Sequence, residues 1–432
     1  MPLKSIRKRA KSATLSPPYG VVKSINANAI IATGLKVSIG QSVTISTKDS
    51  ERLGMVTALG TNTFTITPFG FVEGMQVGDK VLLNKKGLDI PVGDELLGHV
   101  VDPFMRPIDG KGPIYVDDYE PIMKPPMDVM KRGLINEHFC VGIKSIDGLL
   151  TCGKGQKLGI FAGSGVGKST LMGMIVRGSE ASIKVVALIG ERGREVPEFI
   201  AKNLGNDLTN TIIVVATSDD SALMRKYGAF SAISVAEYFK RKGKDVLFMM
   251  DSVTRFAMAQ REIGLALGEP PTSKGYPPSS LTLLPQLMER AGKEEGQGSI
   301  TAFFTVLVEG DDLSDPIADQ SRSILDGHIV LSRELTDRGI YPPVDILSSA
   351  SRVMADVATP KHLAFAQKFR QLMALLKENE MLVRIGAYQK GNDPKLDAAL
   401  EKKDAIDNFL RQSPNQTVPF DETISLLEKI VS

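Results

Sequence analysis

The sequence predicts an α/β protein with a small N-terminal β-barrel, a central core built on a mostly parallel sheet, and a C-terminal helical domain. Three changes of pattern along the 432 residues predict this class. Residues 19–93 contain short β-branched runs between Gly and Asn turns, typical of a small barrel or sandwich. From about residue 155, apolar strands alternate with helical stretches, which favours a parallel sheet covered by helices. After residue 360 the strand patterns end, and apolar residues recur at helical spacing.

These changes divide the chain into four predicted segments. Residues 1–18 form a basic N-terminal segment, residues 19–93 the β-barrel domain, residues 94–358 the core and residues 359–432 the helical domain. The length agrees with such a division, because single domains usually contain about 100–200 residues.

The composition excludes several classes of protein. A formal net charge of +2 gives no overall attraction to nucleic acid. The two cysteines are too few for a disulfide framework or a zinc site, and the four histidines show no metal-ligand spacing. No apolar stretch approaches the roughly 18 residues of a membrane span, and no signal-peptide core is present. We therefore expect a protein of the reducing cytoplasm.

A phosphate-binding loop is the clearest motif. Residues 162–170 read AGSGVGKST, between the strand pattern KLGIF and the helix-like LMGMIV. Glycines at a strand–helix turn let backbone N–H groups surround phosphate oxygens. Lys168 supplies a positive charge for the β- and γ-phosphates, and the Ser169 hydroxyl can bind Mg²⁺. The first position is Ala162 instead of Gly, a tolerated relaxation. The predicted cradle contains Gly163, Ser164, Gly165, Val166, Gly167, Lys168, Ser169 and Thr170.

The matching acidic residue is Asp251. It ends the apolar run of DVLFMMDS, which places its carboxylate at the carboxyl end of a central strand. From there it can hold the Mg²⁺ shell opposite the loop. A strand that ends in Asp is a weak signal alone, but with the upstream loop it indicates an NTPase or an NTP-dependent switch.

Hydrolysis also needs a residue that orients water, and Glu191 in IGERGREV is our candidate. The run KVVALIG is the first strand after the loop's helix, and Glu191 lies just beyond its carboxyl end, where open α/β sheets bind ligands. Arg192, Arg194 and Glu195 are open to two interpretations, a part in the chemistry or salt-bridged scaffolding of the loop. The second is the commoner fate of such charges.

With these residues, the chain resembles the rotary and type III export ATPase superfamily, which includes the catalytic subunits of ATP synthases and the ATPases of flagellar and injectisome export. The resemblance extends from about residue 19 to the C-terminus. It rests on RPIDGKGP, GIKSIDGLLTCGKGQKLGIFAGSGVGKST, IGERGREV, DGHIVLSREL and GIYPPVDILSSASRVM. The stretch MAQREIGLALGEPPTSKGYPPS is most similar to the flagellar branch. The resemblance implies a RecA-like P-loop NTPase core that uses ATP and Mg²⁺.

The resemblance also implies roles for single residues. Glu191 matches the catalytic glutamate, where non-hydrolysing subunits of ATP synthase carry a glutamine, and Arg192 matches the arginine beside it. Arg255 matches an arginine of the nucleotide site. Tyr341 matches the aromatic residue that packs on adenine, which suits a ring with an apolar face and a polar hydroxyl.

Arg352, in SSASRVM, matches the arginine finger that enters the neighbouring subunit's site. Such a residue contributes about 10³–10⁵ in rate to phosphoryl transfer. One chain would thus carry both Glu191 and Arg352, so every interface of a ring of identical subunits would be catalytic. We expect a homohexamer.

The leading hypothesis is an ATPase of flagellar protein export, which docks, unfolds and releases substrates and chaperones at the cytoplasmic export gate. The resemblance implies a stalk-like subunit and a location at the inner face of the plasma membrane, beneath the flagellar basal body. An ATPase of a virulence injectisome is the alternative, with the same chemistry and different cargo. A hexameric nucleic-acid translocase is a third hypothesis, opposed by the near-neutral charge and the lack of an aromatic, basic single-strand surface.

The basic segment leaves its own alternatives open. Its first sixteen residues hold five Lys/Arg and no acid. The apolar residues that fall at helical spacing are Leu3, Ile6, Ala10 and Ala13. An amphipathic helix and an unstructured tail both fit this pattern. The resemblance implies that the segment binds a stator-like regulatory protein, and the charge also suits peripheral binding to anionic lipid.

Overall fold

The computed structural model describes residues 17–26, 29–84, 87–205, 207–308 and 314–432. The helical spacing noted within residues 1–16 lies outside them. By its contacts the chain divides into two compact units, with the division between Leu88 and Asp89. None of the described helices combines the length and apolar character that a membrane crossing requires.

The first unit is a closed antiparallel barrel, as its short β-branched runs predict. Its strands are β1 Tyr19–Asn26, β2 Ala29–Thr33, β3 Ser42–Ser46, β4 Glu51–Leu59, β5 Phe64–Pro68 and β6 Lys80–Leu83. They follow the order β1-β2-β5-β4-β3-β6, and β6 pairs back with β1. Inward-facing residues alternate with outward ones, and Val22, Ile30, Val43, Ile66 and Val81 fill the interior.

The second unit is built on a central sheet, whose strands are mostly parallel. The strands of this unit are β7 Asp89–Val92, β8 Val100–Val101, β9 Asp118–Pro121, β10 His138–Phe139, β11 Cys152–Gly153, β12 Lys157–Ala162, β13 Ile183–Ile189, β14 Thr211–Ala216, β15 Asp245–Asp251, β16 Gly292–Lys293, β17 Ser299–Leu307, β18 Gly327–Val330 and β19 Ala350–Ser351. The sheet has the order β19-β18-β12-β17-β15-β13-β14-β8, and β16 pairs with β17. The two-residue strands β16 and β19 are antiparallel to their neighbours.

Helices cover both the sheet and the C-terminal part of the chain. They are α1 Lys144–Leu149, α2 Lys168–Gly178, α3 Glu195–Phe199, α4 Ala222–Arg241, α5 Val253–Ala266, α6 Pro278–Met288, α7 Pro316–Ile324, α8 Arg333–Asp337, α9 Met354–Val357, α10 Pro360–Glu378, α11 Glu380–Arg384, α12 Pro394–Glu401, α13 Lys403–Leu410 and α14 Phe420–Val431. A π-helix, Ile200–Leu204, continues α3, and 3-10 helices lie at Asp94–Leu96, Val129–Lys131 and Ser273–Gly275. Ser221, Ser252 and Thr359 cap α4, α5 and α10, each accepting a backbone N–H of the first turn.

Two features refine the predicted division into segments. β7 lies within the range 19–93 predicted for the barrel, yet it pairs antiparallel with β9, in the second unit. The run DIPV has the same local character as the barrel strands, so its partner is set by a non-local ladder. The C-terminal helices share one hydrophobic core with the sheet unit, in which Phe369 and Phe409 pack with Ile146. The boundaries proposed at 93/94 and 358/359 remain predictions.

The parallel arrangement brings the carboxyl ends of seven described strands, β18, β12, β17, β15, β13, β14 and β8, to one edge. β12, which leads into the P-loop, lies between β18 and β17, and β15 separates β17 from β13. The strand that leads to Glu191 is therefore not next to β12, since two strands lie between them. Ligands of open α/β sheets bind at this carboxyl edge.

A buried ion pair connects the helical layer to the segment that follows β9. Arg290 is fully buried, and its Nε and Nη2 donate to the two Glu237 carboxylate oxygens, both at 2.7 Å. Its remaining bonds go to the Ile122 carbonyl and the Ser234 hydroxyl, each at 2.8 Å. Burial alone would raise the pKa of Glu237, but the hydrogen bonds and charge of Arg290 hold that pKa below its usual value. The pair is therefore ionised in the folded protein.

Glu237→Gln is expected to destabilise the second unit by about 3 kcal/mol, because it leaves the Arg290 charge buried without its counter-ion. Urea unfolding followed by circular dichroism measures the change. Glu401→Gln is the control, since Glu401 pairs with Lys390 at the surface and both side chains are exposed. A midpoint for Glu237→Gln equal to that of the control variant would contradict the stabilising role of the buried pair.

Candidate active site

The P-loop lies directly after β12, a strand in which every residue is buried. It turns through Gly165 and Gly167, with φ of 75° and 97°, in the left-handed region that favours glycine. Gly167 is also the N-cap of α2, which begins at Lys168. The loop therefore ends at a helix N-terminus, where backbone N–H groups favour phosphate oxygens. Val166 is buried beneath the loop, while Ser164 and Ser169 are exposed on it.

Lys168 joins the two predicted carboxylates in one cluster. Its Nζ lies 2.5 Å from Asp251 Oδ1 and 3.4 Å from Glu191 Oε1. Burial would lower the pKa of Lys168, but the negative charges of Asp251 and Glu191 raise it above its usual value. Lys168 is thus a fixed cation at the carboxyl edge of the sheet.

Asp251 ends β15 with its side chain almost fully buried. Besides Lys168, its Oδ1 accepts the hydroxyl hydrogen of Thr305 at 2.7 Å, from the neighbouring strand β17. Carboxylate and hydroxyl oxygens are ligands that Mg²⁺ prefers, and Ser169 is exposed on the first turn of α2. The residues predicted to hold the metal ion, Asp251 and Ser169, therefore carry suitable oxygen atoms. Ser169 belongs to the helix that follows the P-loop, and Asp251 of β15 contacts Lys168 of that helix.

Glu191 follows β13 after Gly190, which has a φ of 75°. A Cβ at Gly190 would lie 2.6 Å from the Arg255 Cβ, so a glycine lets α5 approach this strand end closely. Burial and the nearby Asp251 charge raise the pKa of Glu191 to about 7, against the opposing effect of Lys168. A carboxyl group that titrates near neutral pH is suited to exchange a proton with water.

The charges that flank Glu191 have different surroundings. Arg192 points outward with 66% of its side chain exposed, and its Nη1 lies 3.3 Å from Glu195 Oε1. Arg255 packs along Gly190, and its Nε is buried with no hydrogen-bond partner among the described residues. Arg255 therefore lies beside the cluster, whereas Arg192 lies at its rim.

Tyr341 and Arg352 occupy different positions. A Cβ at Gly167 would lie 3.7 Å from the Tyr341 Cε1, so the ring lies at the edge of the P-loop, with 38% of the residue exposed. Arg352 is exposed, and its Nη2 donates to the Arg322 carbonyl at 3.3 Å, at the C-terminal end of α7. Its described hydrogen bonds do not include the Lys168 cluster.

Several residues of the site were not predicted from the sequence. Thr305 supports Asp251, Arg333 Nη2 donates to the Ser164 carbonyl at 3.0 Å, and Thr336 Oγ1 lies 3.5 Å from the Val166 carbonyl. Arg333 lies within DGHIVLSREL, a segment that carries the family resemblance, so that segment was a usable signal for it. Thr305 lies within a mostly apolar strand pattern that also contains Ser299 and Thr301, so nothing in the sequence distinguishes it.

A cleft of about 780 Å³ lies outside the predicted site, between α8 and the helices of the C-terminal part. Its lining includes Leu335, Arg338, Met373 and Asp407, and none of the predicted site residues. The phosphate cradle, not the size of a cavity, therefore locates the chemistry.

Two family models match the chain. The nucleotide-binding domain of the ATP synthase alpha/beta family matches residues 142–351, and the C-terminal domain of the type III secretion ATPase EscN matches residues 358–429. The flagellum-specific ATP synthase of Helicobacter pylori is 65% identical over 100% of both chains. That of Bacillus subtilis is 47% identical over 95% of each chain. The type 3 secretion system ATPase of Xanthomonas euvesicatoria is 45% identical over 95% of this chain and 94% of that protein.

Two solved structures are similar over nearly the whole chain. The assembled ATPase EscN of the enteropathogenic E. coli type III secretion system has a TM-score of 0.91 and 46% identity, covering 96% of this chain and 100% of that chain. EscN in complex with its central stalk EscO has a TM-score of 0.89 and 45% identity, with the same coverage.

The raised pKa of Glu191 predicts how stability depends on pH in EDTA without nucleotide. The folded pKa of about 7 lies above the ordinary value of 4.5, so the folded chain keeps a proton that the unfolded chain releases. The contribution of Glu191 to wild-type stability therefore falls as pH rises between these two values. Glu191→Gln lacks this loss and should melt higher than wild type at pH 8, by a margin that shrinks toward pH 5.

Differential scanning fluorimetry measures that margin. Glu198→Gln is the matched control, because a hydrogen bond from Lys202 lowers the pKa of Glu198, which reverses the sign. A margin for Glu191→Gln that is the same at pH 5 and pH 8 would show that Glu191 titrates normally.

Proposed function

The chain belongs to the ATP synthase alpha/beta family, in the branch of flagellum-specific ATP synthases and type III secretion ATPases, and on that premise we propose that it hydrolyses ATP to energise flagellar protein export. One observation carries the proposal. Lys168 at the start of α2 meets Asp251 and Glu191, which come from two separate strand ends, beside the P-loop. The 65% identity with the Helicobacter pylori protein favours the flagellar branch over the injectisome alternative, whose solved relative EscN is 46% identical.

In the proposed reaction the residues of the cluster have different tasks. The N–H groups of the loop and the Lys168 ammonium bind the phosphates of ATP. The Glu191 carboxylate orients the attacking water, and with a pKa of about 7 it can also take the proton that this water loses. Thr305 fixes the orientation of the Asp251 carboxylate. We assign Arg255 and Arg192 supporting roles beside the phosphates.

Ser169 and Asp251 would hold Mg²⁺, which neutralises negative charge on the phosphates when bound. Tyr341 would pack against the adenine base, because its ring lies at the edge of the P-loop and is partly exposed. The base and the triphosphate would thus be held by adjoining parts of the same unit.

We further propose a homohexamer in which Arg352 completes the site of the neighbouring subunit. Two observations support this assignment. Arg352 is exposed, and its side chain donates to the Arg322 carbonyl and not to the Lys168 cluster. The similar protein EscN has been solved as an assembled ATPase and with a central stalk. A stalk-like subunit is accordingly a proposed partner of this chain.

The remaining partners rest on the family resemblance. We propose that residues 1–18 bind a stator-like regulatory export protein, with peripheral contact to anionic lipid as the alternative. The export gate, export chaperones and their substrates are the other proposed partners. The proposed location is cytoplasmic, at the inner face of the plasma membrane beneath the flagellar basal body.

Mixing two inactive variants tests the shared site. Glu191→Gln and Arg352→Ala should each lose at least about a hundredfold in ATP turnover. In a ring assembled from equal amounts of both, about a quarter of the interfaces combine an intact Glu191 with a neighbouring intact Arg352. Phosphate release by the mixture should therefore recover to about a quarter of the wild-type rate. If Arg352 acted within its own subunit, the mixture would stay inactive.

Export in cells tests the physiological role. Replacing the chromosomal gene with the Glu191→Gln variant should strongly reduce secretion of flagellar substrates, while the variant still binds ATP. A Glu401→Gln strain is the control for expression, because that side chain is exposed and remote from the cluster. Normal flagellar secretion with loss of some other secreted protein would contradict the flagellar assignment.

A further inference from the structure

Gln412 lies in the loop between α13 and α14 and is only 4% exposed, although the residues around it are open to solvent. Its side chain contacts the backbone at the start of α1. The Oε1 accepts the Lys144 backbone N–H at 2.9 Å, and the Nε2 donates to the Gly142 carbonyl at 2.7 Å and the Gln416 carbonyl at 2.8 Å. Both amide hydrogens are therefore used.

The same residue holds the tyrosine at the P-loop. The backbone N–H of Gln412 donates to the Tyr341 carbonyl at 2.7 Å. The ring of Tyr341 in turn lies against Gly167 of the P-loop. Gln412 thus makes two kinds of contact. Its side chain binds the backbone of Gly142 and Lys144, and its own backbone N–H binds Tyr341, the residue proposed to pack on the base.

The contacts around Gln412 fix the loop at several further points. Lys144 is the first residue of α1, and the N-cap residue Ile143 offers no side-chain acceptor, so the Gln412 amide oxygen supplies the missing cap. Arg177, at the end of α2, donates to the Pro414 carbonyl at 2.5 Å, and the Val418 N–H donates to the Gly142 carbonyl at 3.1 Å. The loop is thus held at the C-terminal end of α2, where Gly142 lies against Gly178, and not at the P-loop itself.

We propose that Gln412 is a positioning residue for the base of the bound nucleotide. It fixes the 411–418 loop to the core and thereby holds Tyr341 at the rim of the P-loop. This proposal rests on the proposed role of Tyr341 in packing on adenine. It predicts a loss of affinity that is selective for ligands with a base, because the phosphate cradle does not depend on the Gln412 side chain.

Calorimetric titration of the full chain with Mg-ADP and with Mg-tripolyphosphate, which lacks a base, separates these contributions. Gln412→Ala and Tyr341→Ala should each weaken ADP binding by about tenfold and leave tripolyphosphate binding within about twofold of wild type. The double variant should bind ADP no more than about twofold more weakly than Tyr341→Ala, since both changes act on one contact. Gln371→Ala, an exposed glutamine on α10, is the matched control and should bind both ligands as wild type does.

Each other outcome has a definite meaning. Equal weakening of both ligands by Gln412→Ala would overturn the proposal, because Gln412 would then support the whole unit and not the base. Normal ADP binding by Gln412→Ala with weakened binding by Tyr341→Ala would overturn the proposal but leave the role of Tyr341 intact. Normal ADP binding by Tyr341→Ala would overturn both. If Gln412→Ala does not fold, Gln412→Met keeps the side-chain shape without its hydrogen bonds and is judged by the same results.

Discussion

The contact between Lys168 and Asp251 is the interaction on which the site depends. It joins the first residue of α2 to the last residue of β15, across the strand β17 that lies between β12 and β15. The Thr305 hydroxyl of β17 completes this row on the same carboxylate oxygen. Glu191 also lies within reach of the Lys168 ammonium, and burial raises the pKa of the Glu191 carboxyl to about 7. One cation at the start of α2 thus pairs with the carboxylates of two strand ends.

Much of this arrangement can be predicted from local sequence. The glycines of AGSGVGKST, the apolar run before Asp251 and the acid just past KVVALIG each combine a pattern with a position on a strand or turn. The barrel, the parallel sheet and the helical C-terminal part follow from periodicity in the same way, and the structure confirms them. Tyr341 and Arg352 needed the family resemblance, because a lone aromatic residue or arginine has no pattern of its own.

What the sequence does not reveal is the pairing between distant segments. The order of the strands placed β17 and β15 between β12 and β13, although β13 is the next long strand along the chain. Thr305, Arg333 and Gln412 each form hydrogen bonds to residues far away in sequence, and such bonds leave no periodic signal. β7 joins the second unit for the same reason, since only its ladder with β9 identifies its partner.

The closed barrel and the short outer strands of the central sheet affect how this protein can interact with unfolded polypeptides. Unpaired strand edges attract other extended chains, which can add themselves as further strands. The barrel has no such edge, and the central sheet ends in β19 and β8, each two residues long. Within the described residues, neither the barrel nor the central sheet therefore offers a long edge to the unfolded polypeptides proposed as cargo. This design limits β-strand addition by the chains among which the protein would work.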